Sequence, residues 1–394
     1  MTAQATRWVA VWAIFAGGLV GGAYVGKVPP ALPLLRAEFG LTLVETGYIA
    51  TVLNVVGGLI GMFAGAFSDR FGHKRVALAG LALMAAGGLV GALAPRYALL
   101  LWSRVLEGAG FIMMTVAGVA LTARAASSAD RPKAMALWSC FLPAGASLAM
   151  LGASIALGAF EWRGLWIALS ALALACFALI ARSVPSAASH GTAGLMRLGV
   201  ESIRHSASLL LCLAFAGYVA QWAAFMTWLP TFVVSERGGS ALFGALLTAL
   251  WVGANVPGVL LGGWMMAHGA RRSRMIVLAS GIQAVAAAGA FLDVLPDWGR
   301  YASCLAFSLF GGLIPAAVFS GVAALARSPQ HIGTTNGMVM QAAQLVQFVS
   351  PVVVAWIAAR LGWGASLSLM LAFAGVAAAC GFSIGRIERS RMAP

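Results

Sequence analysis

GAFSDRFGHKR, residues 65–75, is a short charged turn with a glycine at its start and another inside it, set between two apolar runs at 45–67 and 76–94. About 20 apolar residues in a helix cross a hydrocarbon core of about 30 Å. The stretch therefore reads as the tip of a helical hairpin whose arms span a membrane. Arg70, Lys74 and Arg75 make that tip basic, which places it on the cytoplasmic side.

The rest of the chain repeats this pattern. Of 394 residues, 61% are hydrophobic and 9% charged, against roughly 25% charged in soluble domains. Only helices and closed barrels satisfy their backbone groups in lipid. The apolar runs are continuous and rich in Ala, Leu, Gly and Val, without the alternation of a barrel strand, so the fold class is all-α membrane protein. Breaks at charged and turn-forming clusters delimit twelve spans: 8–35, 45–67, 76–94, 98–122, 135–158, 164–181, 208–234, 241–267, 275–292, 301–326, 336–359 and 365–385. The first is too long for a signal-peptide core and is read as a retained helix.

Basic residues orient the chain with both termini in the cytoplasm. Seventeen of the 25 fall in segments on that side, six lie singly in outer loops, and Lys27 and Arg104 lie within spans. The net charge of +14 thus reflects topology and contact with anionic lipid rather than nucleic-acid binding. The five cysteines all lie in apolar spans and read as small packing residues. No HExxH, Walker loop, GxSxG or His/Cys ligand cluster is present, so an enzyme is not expected, nor a metal or cofactor. No loop is long enough to be a sensor domain.

The longest polar stretch, 183–207, separates six spans from six and divides the chain into bundles at 1–182 and 208–394. At an offset of 203 residues, Gly118-Val119-Ala120 and Arg124 match Gly321-Val322-Ala323 and Arg327. Two parallel six-helix repeats imply an alternating-access transporter with its substrate site near the midplane.

Gly65, Asp69, Arg70, Gly72, Lys74 and Arg75 fit the G-x-x-x-D-R-x-G-x-K/R-K/R pattern of the major facilitator superfamily, which the chain resembles over its whole length. RVLEGAG, Arg104 to Gly110, resembles that family's second motif, with Glu107 at a position more often glutamine. The counterpart between spans eight and nine has Ala267 and His268 in place of Asp-Arg. The resemblance implies a monomeric transporter with two pseudo-symmetric six-helix bundles. It also implies a cytoplasmic latch in which Asp69 faces the start of span eleven near Thr334 and Thr335, while Arg70, Lys74 and Arg75 hold the loop and meet Asp130. DRPKAMALWSCFLPAG (130–145) and WRGLW (162–166) resemble the cyanate and nitroimidazole branch.

Lys27 is the unusual residue of the first span. A charge at a helix centre costs about 2.5–3.5 kcal/mol, and nineteen residues from Trp8 place it about 28 Å along. Two readings stand: a lysine snorkelling to the outer interface, or one facing the central cavity. PALP at 30–33 resembles a segment that drug/proton antiporters of this superfamily precede with an acid, where this chain has the lysine. Arg104 and Glu107 lie one turn apart on one face. With Lys27 and the nearby Tyr24, they make a candidate site of net charge +1 that calls for an anion, with Glu107 as the candidate proton carrier. Neutral candidates for substrate contact are Asn54, Tyr218, Gln221, Trp222, Asn255, Gln341 and Gln344. The expected substrate is a small organic or inorganic anion. The rival reading is a proton-driven exporter of drugs or other lipophilic compounds.

Overall fold

The computed structural model describes residues 5–127, 129–159, 161–185, 201–292, 294–327 and 331–392. Every long apolar run is a helix. Eleven helical stretches are long and apolar enough to cross a membrane, and a further pair bent by 43° brings the number to twelve. The twelve spans read from hydropathy are all present. Most of the 183–207 stretch, residues 186–200, lies outside the described residues.

Five spans are broken near their middles. The first is α1 (Trp8–Gly26) and α2 (Val28–Phe39), joined at Lys27. Pro29 and Pro30 explain that break, because neither has an N–H to return to the preceding turn. The second is α3 (Leu43–Thr51) and α4 (Val55–Phe71), joined by a 3-10 turn over Val52–Asn54. The third and fourth, α5 (His73–Ala92) and α6 (Tyr97–Ala125), are continuous. The fifth bends at Cys140 between α7 (Arg131–Ser139) and α8 (Phe141–Ala159). The sixth and seventh are α9 (Trp162–Ser183) and α10 (Ser206–Arg237). The eighth breaks at Ala254 between α11 (Ala241–Gly253) and α12 (Asn255–Ala267). The ninth is α13 (Arg272–Phe291), and the tenth breaks at Gly312 between α14 (Asp297–Gly311) and α15 (Leu313–Leu325). The last two are α16 (Ile332–Leu361) and α17 (Ser366–Met392).

In lipid, helices associate through close backbone approach rather than through the hydrophobic effect. Gly22 and Gly26, one turn apart on α1, lie directly on the backbone of α8: a Cβ at Gly22 would sit 2.7 Å from the Leu142 carbonyl oxygen, and one at Gly26 would sit 2.5 Å from Ala146 Cα. Trp12, Trp102, Trp264 and Trp298 are exposed on the outside, as expected for side chains facing lipid or its interface. All five cysteines are buried and unpaired with one another.

Among the described residues, two of the contacts between the halves are seams of close packing. In one, α3 and α4 pack on α16: Gly57 lies against Gln344, Gly58 against Leu345 and Gly61 against Gln341, and the Tyr48 and Phe348 rings are 6.4 Å apart. In the other, Ser147 on α8 donates to the Ala249 carbonyl on α11 at 2.8 Å.

Candidate functional site

The break in the first span puts Lys27 inside the bundle formed by the first six spans. Its side chain is fully buried, so it does not snorkel to an interface. Its Nζ donates to Glu107 Oε1 at 2.7 Å. The Tyr24 and Trp166 ring centroids lie 4.1 and 4.3 Å from the same nitrogen. The ammonium is thus held by one carboxylate and two aromatic faces, the combination that stabilises a cation away from water.

Glu107 Oε2 pairs with Arg104 Nη1 within α6. Arg104 reaches two further spans, its Nη1 donating to the Tyr24 carbonyl and its Nε to the Ile49 carbonyl, both at 3.1 Å. Those carbonyls stand next to the breaks in spans one and two, where backbone acceptors lose their own-helix donors. Arg104 therefore pins three helices together. Its Nη2 is buried with no partner among the described residues, as is the Trp166 indole N–H. With all three groups ionised, the cluster carries +1 and retains an unused guanidinium donor.

Neighbouring elements close the site. The Tyr24 hydroxyl lies 3.3 Å from Ser170 Oγ on α9. Gly87 and Gly88 on α5 form the adjoining wall: a Cβ at Gly87 would sit 2.9 Å from Glu107 Cγ, and one at Gly88 would sit 2.8 Å from the Tyr24 hydroxyl. The sequence reading did not single out Trp166, Ser170, Gly87 or Gly88 as site residues. The available signals were the four-residue spacing of Trp166 and Ser170 on one helical face and the glycine pair in span three.

The neutral candidates separate. Tyr218 and Asn255 come together: Asn255 Nδ2 donates to the Tyr218 hydroxyl at 3.0 Å and to the Ser308 carbonyl at 2.9 Å. Gln283, also missed in the sequence, is buried beside them with neither amide atom partnered among the described residues. Gln221 Nε2 is spent on the Gly217 carbonyl. Trp222 packs on Trp251, with ring centroids 5.8 Å apart. Asn54 Nδ2 bonds the Thr51 carbonyl in its own turn. Gln341 donates across the seam to the Gly58 carbonyl at 2.9 Å, and Gln344 lies on Gly57, so both hold α4. Among its described residues the second half has no copy of the charged cluster. At the 203-residue offset Arg104 corresponds to Phe307, which packs on Phe225 at 4.6 Å and on Trp251 at 6.2 Å.

The 65–75 turn is partly corrected. Gly72 has a φ of 89°, a conformation that favours glycine. Lys74 Nζ donates to the Ala181 carbonyl at 2.8 Å, capping the end of α9, and Arg70 lies 5.6 Å from the Phe71 ring. Arg75 is exposed. Asp130 does not turn to these bases, because its Oδ2 accepts from Thr6 at 2.6 Å and from Ser127 at 3.4 Å. The burial of Gly65 and the side chain of Asp69 lie outside what the structure describes. Thr335 Oγ1 is 3.4 Å from Ser208 Oγ.

A model of the Major Facilitator Superfamily matches residues 13–351. A probable sulfoacetate transporter of Cupriavidus necator is 25% identical over 86% of this chain and 85% of its own. The cyanate transport protein of Escherichia coli is 29% identical over 67% of this chain and 68% of its own. Matches to other curated relatives span 34%, 58% and 36% of those proteins. Among solved structures, an inward-facing, unoccupied bacterial homologue of the human lysosomal transporter Spinster has a TM-score of 0.80 at 15% identity, with 96% of this chain and 97% of that one covered. The twelve spans, the charged turn at 65–75 and a family match over most of the length agree: the chain belongs to the Major Facilitator Superfamily and is a multi-pass membrane protein.

Proposed function

We propose that this protein is a transporter that moves a small organic or inorganic anion across the inner membrane by alternating access, and that Glu107 couples the movement to a proton. The observation that carries this reading is the buried set of two cations and one carboxylate, with Arg104 Nη2 left without a partner among the described residues. Uncompensated charge within a membrane protein marks a pathway or a partner. Relatives named for sulfoacetate and cyanate fit an anionic solute.

An anion that reaches Arg104 competes with Glu107 for the guanidinium. As the cation is drawn away, the carboxylate takes up a proton, which links solute and proton occupancy. Tyr24 and Lys27 complete the charged side. Tyr218 and Asn255 offer neutral hydrogen bonds from the other half, and Asn54, Gln221, Trp222, Gln341 and Gln344 are contacts reached only in other conformations. The chain acts as a monomer, with bundles 1–182 and 208–394 joined by a cytoplasmic linker, both termini on the cytoplasmic side, and the 65–75 turn with Asp69 serving as the gate.

The test is thermal unfolding in detergent against small inorganic anions, carboxylates, sulfonates, nitroaromatics and lipophilic cations, since a ligand selective for the folded state raises its stability. Stabilisation by an anion, lost in Arg104→Ala, is the expected result. Stabilisation by lipophilic cations alone would favour a drug exporter instead.

A further inference from the structure

Removing Lys27 beyond Cβ leaves a closed chamber with three recognition elements facing the space its ammonium fills. Two are the Tyr24 and Trp166 ring faces, 4.1 and 4.3 Å from Nζ. The third is Glu107 Oε1 at 2.7 Å. Two aromatic faces and a carboxylate around one point are the standard means of recognising an organic ammonium. The glycines at 87 and 88 leave room for Glu107 and Tyr24 to hold these positions.

We propose that Lys27 is a tethered ligand. Its side chain occupies a cation site built by Tyr24, Trp166 and Glu107, and that occupancy bars primary alkylammonium compounds from a place that otherwise binds them. Lys27 is thereby a specificity-determining residue. The inference deepens the anion reading of the same cluster, because a cation fixed there keeps the set at +1 and denies Glu107 to any cationic solute. Without Lys27, the Arg104–Glu107 pair is neutral, and one bound alkylammonium restores the original charge. The lysine atoms beyond Cβ are three carbons and a nitrogen, so n-propylammonium is the matching probe.

The experiment is thermal unfolding of Lys27→Ala in detergent with propylammonium chloride, beside wild type and Lys27→Met, whose side chain refills the stem. A concentration-dependent rise in unfolding temperature in Lys27→Ala alone, smaller with methylammonium and abolished by adding Trp166→Leu, is expected. No response in Lys27→Ala, or an equal response in wild type, overturns the proposal. Where Lys27→Ala yields no folded protein by itself, it is extracted with and without propylammonium: recovery only with the amine supports the tethered-ligand role, and no recovery in either condition overturns it. Chloride is held constant with sodium chloride in every sample, so none of these readouts varies an anion. Failure of anions to stabilise wild type would therefore sink the anion reading while leaving this one to its own result.

Discussion

Lys27 and Glu107, 80 residues apart, form a fully buried ion pair of 2.7 Å between the break in span one and the middle of span four. The pair's partners Tyr24, Arg104 and Trp166 all come from the first six spans. The charged cluster therefore has a structural duty whatever else it does, and the two roles separate by experiment.

Glu107→Gln removes the only counter-charge the described residues offer to Lys27 and Arg104. Breaking a buried pair by deleting one partner costs about 3–5 kcal/mol. Lys27→Met leaves the Arg104–Glu107 pair intact and should cost less. Unfolding temperatures in detergent should rank wild type above Lys27→Met and Lys27→Met above Glu107→Gln, and the reverse order of the two variants would contradict the charge assignment.

Coupling is read with the same Glu107→Gln variant in proteoliposomes, at a temperature where it stays folded. Proton-driven accumulation of the solute should vanish while solute exchange survives, because glutamine keeps the shape but carries no proton. Accumulation at wild-type levels would remove Glu107 from the coupling step.

The seam between α8 and α11 offers a direct test of movement. A Cβ built at Gly253 lies 3.8 Å from Ser147 Cβ, within the Cβ spacing of about 3.5–4.5 Å that disulfides adopt. Ser147→Cys with Gly253→Cys should cross-link on mild oxidation and stop transport, and a reductant should restore it. The five native cysteines are buried and out of the way. Transport unaffected by a completed cross-link would mean that the halves do not part there.

Gly26 has backbone against it, and Gly281 has open space. Gly26→Val should abolish folded protein, since nothing on the α8 backbone can yield. Gly281→Ala meets no atom within 4 Å and should be neutral or stabilising by about 0.5–1 kcal/mol, as expected for alanine replacing an unstrained helical glycine. Yield and monodispersity on size-exclusion chromatography distinguish the two.

Local properties were legible in the residues themselves. Hydropathy and charge placed the twelve spans, because crossing lipid is a demand on each segment taken alone. The turn at 65–75 announced its glycine, and Gly72 does adopt a positive φ. Arg104 and Glu107 could be paired in advance because residues three apart on a helix are neighbours. The unusual placement of Lys27 was visible too, as a charge with no acid in its own run.

The grouping of Lys27 with Tyr24, Arg104 and Glu107 was expected, but its contact with Trp166 was not legible, because that ring arrives from span six by packing. Linear depth along a straight helix placed it near the outer interface. Trp166 and Tyr24 instead close over it, and the nitrogen spends its charge indoors. Asp130 likewise found Thr6, more than a hundred residues away, rather than the nearby bases. Gln341 and Gln344, a polar stripe that suggested solute contacts, hold α4 across the seam. The sequence by itself determined that this chain is a twelve-span membrane protein, because each span must satisfy the lipid alone. Only the tertiary structure decided that its buried lysine sits in a cage, because a cage is made by side chains that close approach of glycine-bearing helices brings together.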